Sequence, residues 1–129
     1  MLIKIRMRDN RGVITEKMVE LIPVKTIKDE YLHLASFLCD KCQSHAWNPP
    51  NQELLLGVNS GKLLAIDILS SSCKNCKNHI ELYFDASNFF WNEYPEDKVE
   101  ELKERLINSM EFEEGEFKQI ASNSPSTSS

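Results

Sequence analysis

Two short cysteine motifs hold the residues of this chain whose types and spacing could do chemistry. All four cysteines of the 129 residues lie in them, as Cys39-Asp40-Lys41-Cys42 and Cys73-Lys74-Asn75-Cys76. A CxxC turn places two thiolates on one side of a metal ion, and two such turns brought together by folding complete a tetrahedron of sulfur ligands. The spacing therefore predicts one structural zinc ion bound by Cys39, Cys42, Cys73 and Cys76.

Disulfide or redox chemistry, and unbound thiols, are the alternative interpretations of the same cysteines. In a reducing compartment, paired CxxC motifs favour metal binding over disulfides. Thioredoxin-like chemistry needs a CxxC that opens a helix in a βαβ unit, and neither motif has that setting. Four thiolates also leave no coordination position for water or substrate, so we expect a protein that is not an enzyme.

His45 and His79 each lie three residues after the second cysteine of a motif. The functional interpretation makes them substitute ligands or general bases. The structural interpretation, which we favour, makes them exposed or hydrogen-bonded side chains near the site. No Ser/His/Asp or phosphate-loop spacing occurs elsewhere in the sequence.

Length and composition are those of one ordinary domain, with 41% hydrophobic and 27% charged residues. No apolar run approaches the ~18 residues that cross a membrane. Charged residues interrupt the N-terminus at residues 4 and 6, which is not typical of a signal peptide. These features predict a cytoplasmic protein that does not contact a membrane.

The segments that flank the cysteine motifs have the alternation of β-structure. Residues 2–8 and 13–22 predict an N-terminal β-hairpin around turn-forming residues. The apolar run 31–38 predicts a buried strand that leads into Cys39, with a short helix as the alternative. Around the second motif we expect a hairpin and an exit strand, over residues 54–58, 62–69 and 79–85.

A helical period replaces this alternation after Pro95, which suits a first helical turn. The apolar positions form one stripe at helical spacing, and they are Val99, Leu102, Leu106 and Met110. We expect an amphipathic helix over residues 95–113. Residues 121–129 are too polar to pack and predict a disordered tail.

The two motifs and their flanking strands resemble the zinc-ribbon class of domains. The resemblance covers residues 31–85, and the predicted hairpin accounts for a spacing longer than that of compact ribbons. With the other elements it predicts an α+β fold: a mainly antiparallel β zinc-ribbon-like domain with an N-terminal β-hairpin and a C-terminal amphipathic helix. One zinc-stapled domain is expected over residues 1–120, of which 1–30 form the hairpin and a connection.

The formal net charge of −5 does not favour general phosphate binding, unless basic residues gather on one face. One basic group lies on the expected solvent face of the first hairpin and consists of Lys4, Arg6, Arg8 and Arg11. A second lies beside the cysteines and consists of Lys41, Lys74 and Lys77. The ordinary interpretation is a solvated face in the first case, and an offset to the negative thiolates in the second.

Aromatic residues outside the strands include Trp47 and the run Phe89-Phe90-Trp91. The structural interpretation is that the aromatic run packs the terminal helix against the sheet. The functional interpretation is an anchor for a partner, because aromatic residues dominate binding hot spots.

We therefore expect a small non-catalytic zinc-binding module that acts through protein–protein interaction or self-association. The alternative is a zinc ribbon that binds nucleic acid, in transcription or RNA handling. That protein would use the basic N-terminal hairpin and the lysines beside the motifs. The zinc-ribbon resemblance favours this alternative more than the composition does.

Overall fold

The computed structural model describes residues 1–90, 101, 104 and 114–123 of the chain. Strands dominate this part of the chain. In chain order the elements are β1 (Leu2–Arg8), β2 (Ile14–Pro23), α1 (Ile27–Ser36), β3 (Asn51–Asn59), β4 (Lys62–Ser72), β5 (His79–Asp85), α2 (Ser87–Phe90) and β6 (Phe117–Asn123).

The six strands form one sheet that nearly closes on itself. Their order is β1-β2-β5-β4-β3-β6. Strands β2 and β5 run parallel, from Leu21 beside Tyr83 to Pro23 beside Asp85, and the other paired strands are antiparallel. A single bridge between Arg6 and Glu116 brings the two edges of the sheet together. The result is a barrel-like mixed sheet.

Every strand contributes to the interior of this barrel. The cluster consists of Ile3, Ile5, Val19, Leu21, Leu55, Ile66, Ile68, Tyr83 and Phe117. Gly57 leaves the space that the Phe117 ring occupies, because a Cβ atom there would overlap the ring and lie 2.6 Å from the carbonyl oxygen of Glu116. Strand β6 can therefore approach β3 closely at this point.

A second apolar layer covers the outer face of β4 and β5. It joins Leu34 of α1 to strand and loop residues, and the buried members are Val24, Leu34, Leu69, Leu82 and Phe84. Because residues of both parities are buried along β4, this strand lies between the barrel interior and the covering layer. Its last residue, Ser72, leads directly into the second cysteine motif.

Both hairpins expected from the sequence are present. In the first, β1 pairs with β2 from Leu2 beside Glu20 to Arg8 beside Ile14. The Asp9 carboxylate stabilises the turn by accepting hydrogen bonds from the backbone N–H groups of Arg11 and Val13, each at 2.9 Å. In the second hairpin, β3 and β4 are longer than predicted and continue to the edge of the cysteine site.

The strand predicted over residues 31–38 is wrong, because this segment belongs mostly to helix α1. Thr26 caps the helix by accepting a hydrogen bond from the Asp29 N–H at 3.2 Å. Only Glu30 and Leu34 of the helix are buried, and they are four residues apart on one face. The apolar residues that suggested a buried strand, such as Leu32 and Leu38, are exposed instead.

The predicted α+β zinc-ribbon-like fold class is also wrong. The described chain is mostly β, its sheet is a nearly closed mixed barrel in which β2 and β5 are parallel, and its named helices have ten and four residues. No long C-terminal amphipathic helix is found among the described residues. The segment 95–113, for which that helix was predicted, lies outside them apart from Glu101 and Glu104.

Strand β6 was not expected from the sequence. It pairs with β3 and continues to Asn123, into the segment for which disorder was predicted from residue 121. Residues 124–129 lie outside the described part of the chain. None of the helices in that part is long and apolar enough to cross a membrane.

Candidate metal site

The first cysteine motif forms a tight turn, which we call the first knuckle (residues 39–44). It begins three residues after the end of α1. The Gln43 N–H donates to the Cys39 carbonyl at 2.7 Å, and the Cys39 N–H donates to the Ser44 carbonyl at 2.8 Å. Gln43 closes the turn with a left-handed φ of 64°.

The second knuckle (residues 73–78) repeats this geometry at the end of β4. The Lys77 N–H donates to the Cys73 carbonyl at 2.9 Å, and the Cys73 N–H donates to the Asn78 carbonyl at 2.8 Å. Lys77 has a φ of 68°. The two knuckles therefore share one backbone conformation, with the residue after the second cysteine in the left-handed region.

Backbone hydrogen bonds hold the two knuckles side by side. Trp47 forms an antiparallel bridge with Cys73, and the Lys74 N–H donates to the Ala46 carbonyl at 2.9 Å. Asn48 completes the link, since its side-chain amide donates to the Ser72 hydroxyl at 2.8 Å. The segment that leaves the first knuckle is thus fixed against the entrance to the second.

This arrangement brings the four cysteine sulfurs together. All four Sγ atoms lie within 4.8 Å of one another. Two of the distances that cross between the knuckles are 3.5 Å, from Cys39 to Cys76, and 3.6 Å, from Cys42 to Cys73. These values far exceed the ~2.05 Å of a disulfide bond, and the four thiols are free. The cluster could hold a metal ion.

The hydrogen bonds around these thiols shift their pKa values in opposite directions. Burial raises the pKa of Cys39, but the N–H groups of Cys42 and Lys41, with the Cys76 and Asn78 side chains, lower it to about 6. The Cys76 N–H is the main cause that lowers the pKa of Cys73. The Asn78 N–H lowers the pKa of Cys76, but burial and the other three thiols raise it to about 12. A central cation would favour the thiolate form of the four cysteines.

The site is closed on one side and open to solvent on the other. Cys39 and Cys73 are completely buried, whereas Cys76 is exposed. The neighbouring lysines are exposed, and they are Lys41, Lys74 and Lys77. His45 and His79 are exposed too, and neither belongs to the cysteine cluster.

The aromatic residues singled out in the sequence have structural contacts where they are described. Trp47 is half-buried against the outer apolar layer, and its Nε1–H donates to the Phe37 carbonyl at 2.8 Å. Phe89 is half-buried against the same layer. Trp91 and the side chain of Phe90 lie outside the described residues.

The basic residues of the first hairpin already have carboxylate partners. Lys4 and Arg6 both pair with Glu16, at 3.7 Å and 3.2 Å. The other two pairs, at 3.5 Å and 3.1 Å, are Arg8 with Glu116 and Arg11 with Asp9. A phosphate group would have to displace these carboxylates.

Two features near the site were missed in the sequence. The first is a group of exposed apolar side chains on α1 and the residues that follow it, which are Ile27, Tyr31, Leu32, Phe37 and Leu38. The second is the buried carboxyl group of Glu30. Helical periodicity over 27–36 places Glu30 and Leu34 on one face. Recognising it would have predicted the burial of Glu30 and the exposure of the apolar residues on the other faces. Comparison with protein-family models, with curated proteins and with solved structures found no match.

The left-handed residue of each knuckle generates a prediction about stability. Lys77→Gly should raise the free energy of unfolding by about 0.5–1 kcal/mol, because glycine adopts a positive φ without steric cost. Lys74→Gly removes the same charge at a position without a positive φ, and it should lower that free energy by a similar amount. Urea unfolding at fixed metal concentration measures both. Equal effects from the two variants would contradict the role assigned to Lys77.

Proposed function

We propose that the four cysteines bind one structural zinc ion, in a small non-catalytic module that acts by contacting another protein. The observation that carries this proposal is the cluster of four sulfurs supplied by two equivalent knuckles. Four thiolates saturate a tetrahedral ion. The ion would then stabilise the fold, and the partner protein would bind to the surface around the site.

The distances between sulfurs support zinc as the ion. With Zn–S bonds of about 2.3 Å, the edge of a regular tetrahedron is about 3.8 Å. The sulfur separations of 3.5 Å and 3.6 Å between the knuckles are within a few tenths of an ångström of that edge. Soft thiolate ligands in tetrahedral geometry are typical of zinc or iron–sulfur sites. Zinc, with no redox chemistry of its own, suits a structural role.

Bound zinc would supply a cross-link between parts of the chain that are far apart in sequence. Cys39 and Cys42 follow α1, whereas Cys73 and Cys76 lie between β4 and β5. The Asn78 amide, 3.6 Å from the Cys39 sulfur, would stabilise the thiolate across the two knuckles. The residues of this chain thus bind, orient and screen the ion.

Zinc content and stability test the metal proposal. We expect one zinc ion per chain by elemental analysis, and loss of cooperative unfolding in excess chelator, because metal-binding energy contributes directly to folding. Cys73→Ser should lower the zinc content and destabilise the protein by several kcal/mol.

His45→Ala and His79→Ala are the matched controls, since both histidines lie near the knuckles but outside the sulfur cluster. These variants should retain one zinc ion per chain. A protein that keeps its full stability in chelator would contradict a structural zinc site.

The surface of α1 supports a protein partner. Leu32 and Leu38 are 55% and 50% exposed, on a helix and extension that end at the first knuckle. Exposed apolar side chains that lie close together are typical of interaction sites. Trp47 and Phe89 are less suitable anchors, because both already pack against the outer apolar layer.

Nucleic-acid binding is the second candidate, and the exposed lysines of the knuckles favour it. Lys41, Lys74 and Lys77 all lie beside the cysteine cluster. The net charge of −5 and the ion pairs of the first hairpin weigh against it. We therefore rank it below a protein partner.

Site-specific photocrosslinking tests the interaction proposal. A benzophenone side chain in place of Leu32 or Leu38 should give one defined protein adduct in the cells that express the chain. Excess wild-type protein should suppress the adduct, whereas excess Leu38→Lys protein should not, because a buried lysine costs binding free energy. An adduct of two copies of the chain would identify self-association.

The same crosslinker at Lys62, an exposed residue at the start of β4, is the control for random collision. An adduct that the Leu38→Lys protein also suppresses, or one that Lys62 gives equally, would contradict a binding surface on α1. Nucleic acid in the adduct would favour the second candidate.

A further inference from the structure

Glu30 is a fully buried carboxyl group that plays no part in the cysteine site. Its exposed fraction is 0%, and no hydrogen-bond donor lies within bonding distance of either carboxyl oxygen. It lies on the face of α1 that packs against the sheet, one turn before Leu34. An unpaired carboxylate buried in this way would destabilise the docked helix strongly.

Asp67 of β4 is the charged group that faces Glu30. Asp67 is itself only 4% exposed, and its side chain and its charge both act on Glu30, although no hydrogen bond of ordinary geometry joins the two carboxyl groups. Burial is the main cause that raises the pKa of Glu30, followed by these two effects of Asp67, and the result is about 9. Two buried carboxyl groups in contact cannot both ionise without a large electrostatic cost.

The surrounding hydrogen bonds indicate which carboxyl group keeps the proton. The Tyr31 hydroxyl lies 3.4 Å from Gln52 Oε1, and Gln52 Nε2 donates to Asp67 Oδ2 at 3.4 Å. Asp67 therefore accepts a hydrogen bond from Gln52. Glu30, which is fully buried and has no such donor, is the carboxyl group that keeps the proton.

We propose that α1 is held on the sheet by one proton shared between Glu30 and Asp67, so that docking of the helix depends on pH. The proton is taken from solvent when the helix docks, and it forms the O–H of Glu30 that faces the Asp67 carboxylate. When the helix leaves the sheet, the O–H bond breaks and the proton returns to solvent. No other bond changes.

The side chains that surround Asp67 and Leu34 are consistent with this assignment. From α1 itself, Tyr31 is the third titratable group, and its pKa is raised first by burial and then by Glu30 and Asp67. Strand β3 contributes the neutral Gln52. Strand β5 contributes the apolar Leu82 and Phe84, which pack with Leu34.

A divalent cation is a less suitable occupant than a proton. Calcium takes six to eight oxygen ligands, and magnesium keeps several waters in an octahedral shell. This cluster offers two carboxylates, one amide and one phenol, and both carboxylates are buried. A proton satisfies Glu30 and Asp67 without further ligands.

The shared proton also bears on the cysteine site. The Phe37 N–H donates to the Leu34 carbonyl at 3.1 Å, and the Phe37 carbonyl accepts the Trp47 Nε1–H. Cys39 follows two residues later. Release of α1 would therefore loosen the chain that leads into the first knuckle.

The difference between the pKa of Glu30 in the folded and unfolded chain determines how the free energy of unfolding changes with pH. The folded chain keeps the Glu30 proton up to a pH of about 9, whereas the unfolded chain releases it near the ordinary pKa of 4.5. Stability from this group is fully present below pH 4.5, and it is lost as pH rises through this window. The folding equilibrium constant should fall by about tenfold per pH unit between these values.

Urea unfolding of zinc-loaded protein between about pH 6 and pH 9 tests the proposal. The folding equilibrium constant of the wild type should fall by about tenfold per pH unit relative to that of Glu30→Gln, which carries a permanent neutral amide. Glu20→Gln is the control, since Glu20 is an exposed glutamate on β2, and it should keep the wild-type slope. Carbon-13 NMR of the wild-type carboxyl groups gives a second readout, with one glutamate that titrates near pH 9.

Three outcomes would overturn the proposal. The first is a Glu30→Gln variant that keeps the wild-type slope. The second is a set of carboxyl resonances that all titrate below about pH 6, which decides the matter even where Glu30→Gln fails to fold. The third is stabilisation of the wild type, but not of Glu30→Gln, by added Mg²⁺ or Ca²⁺, which would place a cation there instead.

Discussion

The contact between the two knuckles is the constraint on which the arrangement of the functional surfaces depends. It joins the end of α1 to the end of β4 through four sulfurs and the backbone bridge between Trp47 and Cys73. The barrel interior does not make this link, because its residues come from the strands alone. A bound ion would therefore orient α1 and both knuckles relative to a sheet that has its own core.

This division of roles is the reason we propose a structural rather than a catalytic role for the cysteine site. Both knuckles contribute their cysteines to one cluster, and the two histidines beside it are exposed and outside it. What the metal would organise is the position of α1, with its exposed apolar residues, relative to the lysines of the knuckles. Those exposed apolar residues are the reason we favour a protein partner.

The cysteine cluster was predictable from sequence because each CxxC turn is local and its ligands are chemically specific. The first hairpin was predictable for a similar reason, since alternation and turn residues lie within about 20 positions. The segment 31–38 was misinterpreted because a short apolar run has no decisive period, and the cap at Thr26 carried the missing signal. The parallel pairing of β2 with β5 and the position of β6 depend on contacts between distant segments, which periodicity does not encode.

The direct test of a metal ion shared by both knuckles is its coordination shell, measured by X-ray absorption at the zinc edge. Four cysteines from both knuckles predict four sulfur ligands at about 2.3 Å and no nitrogen or oxygen in the first shell. Two sulfurs with nitrogen or oxygen neighbours would show that the knuckles do not share one ion. That result would contradict a metal cross-link between the end of α1 and the end of β4.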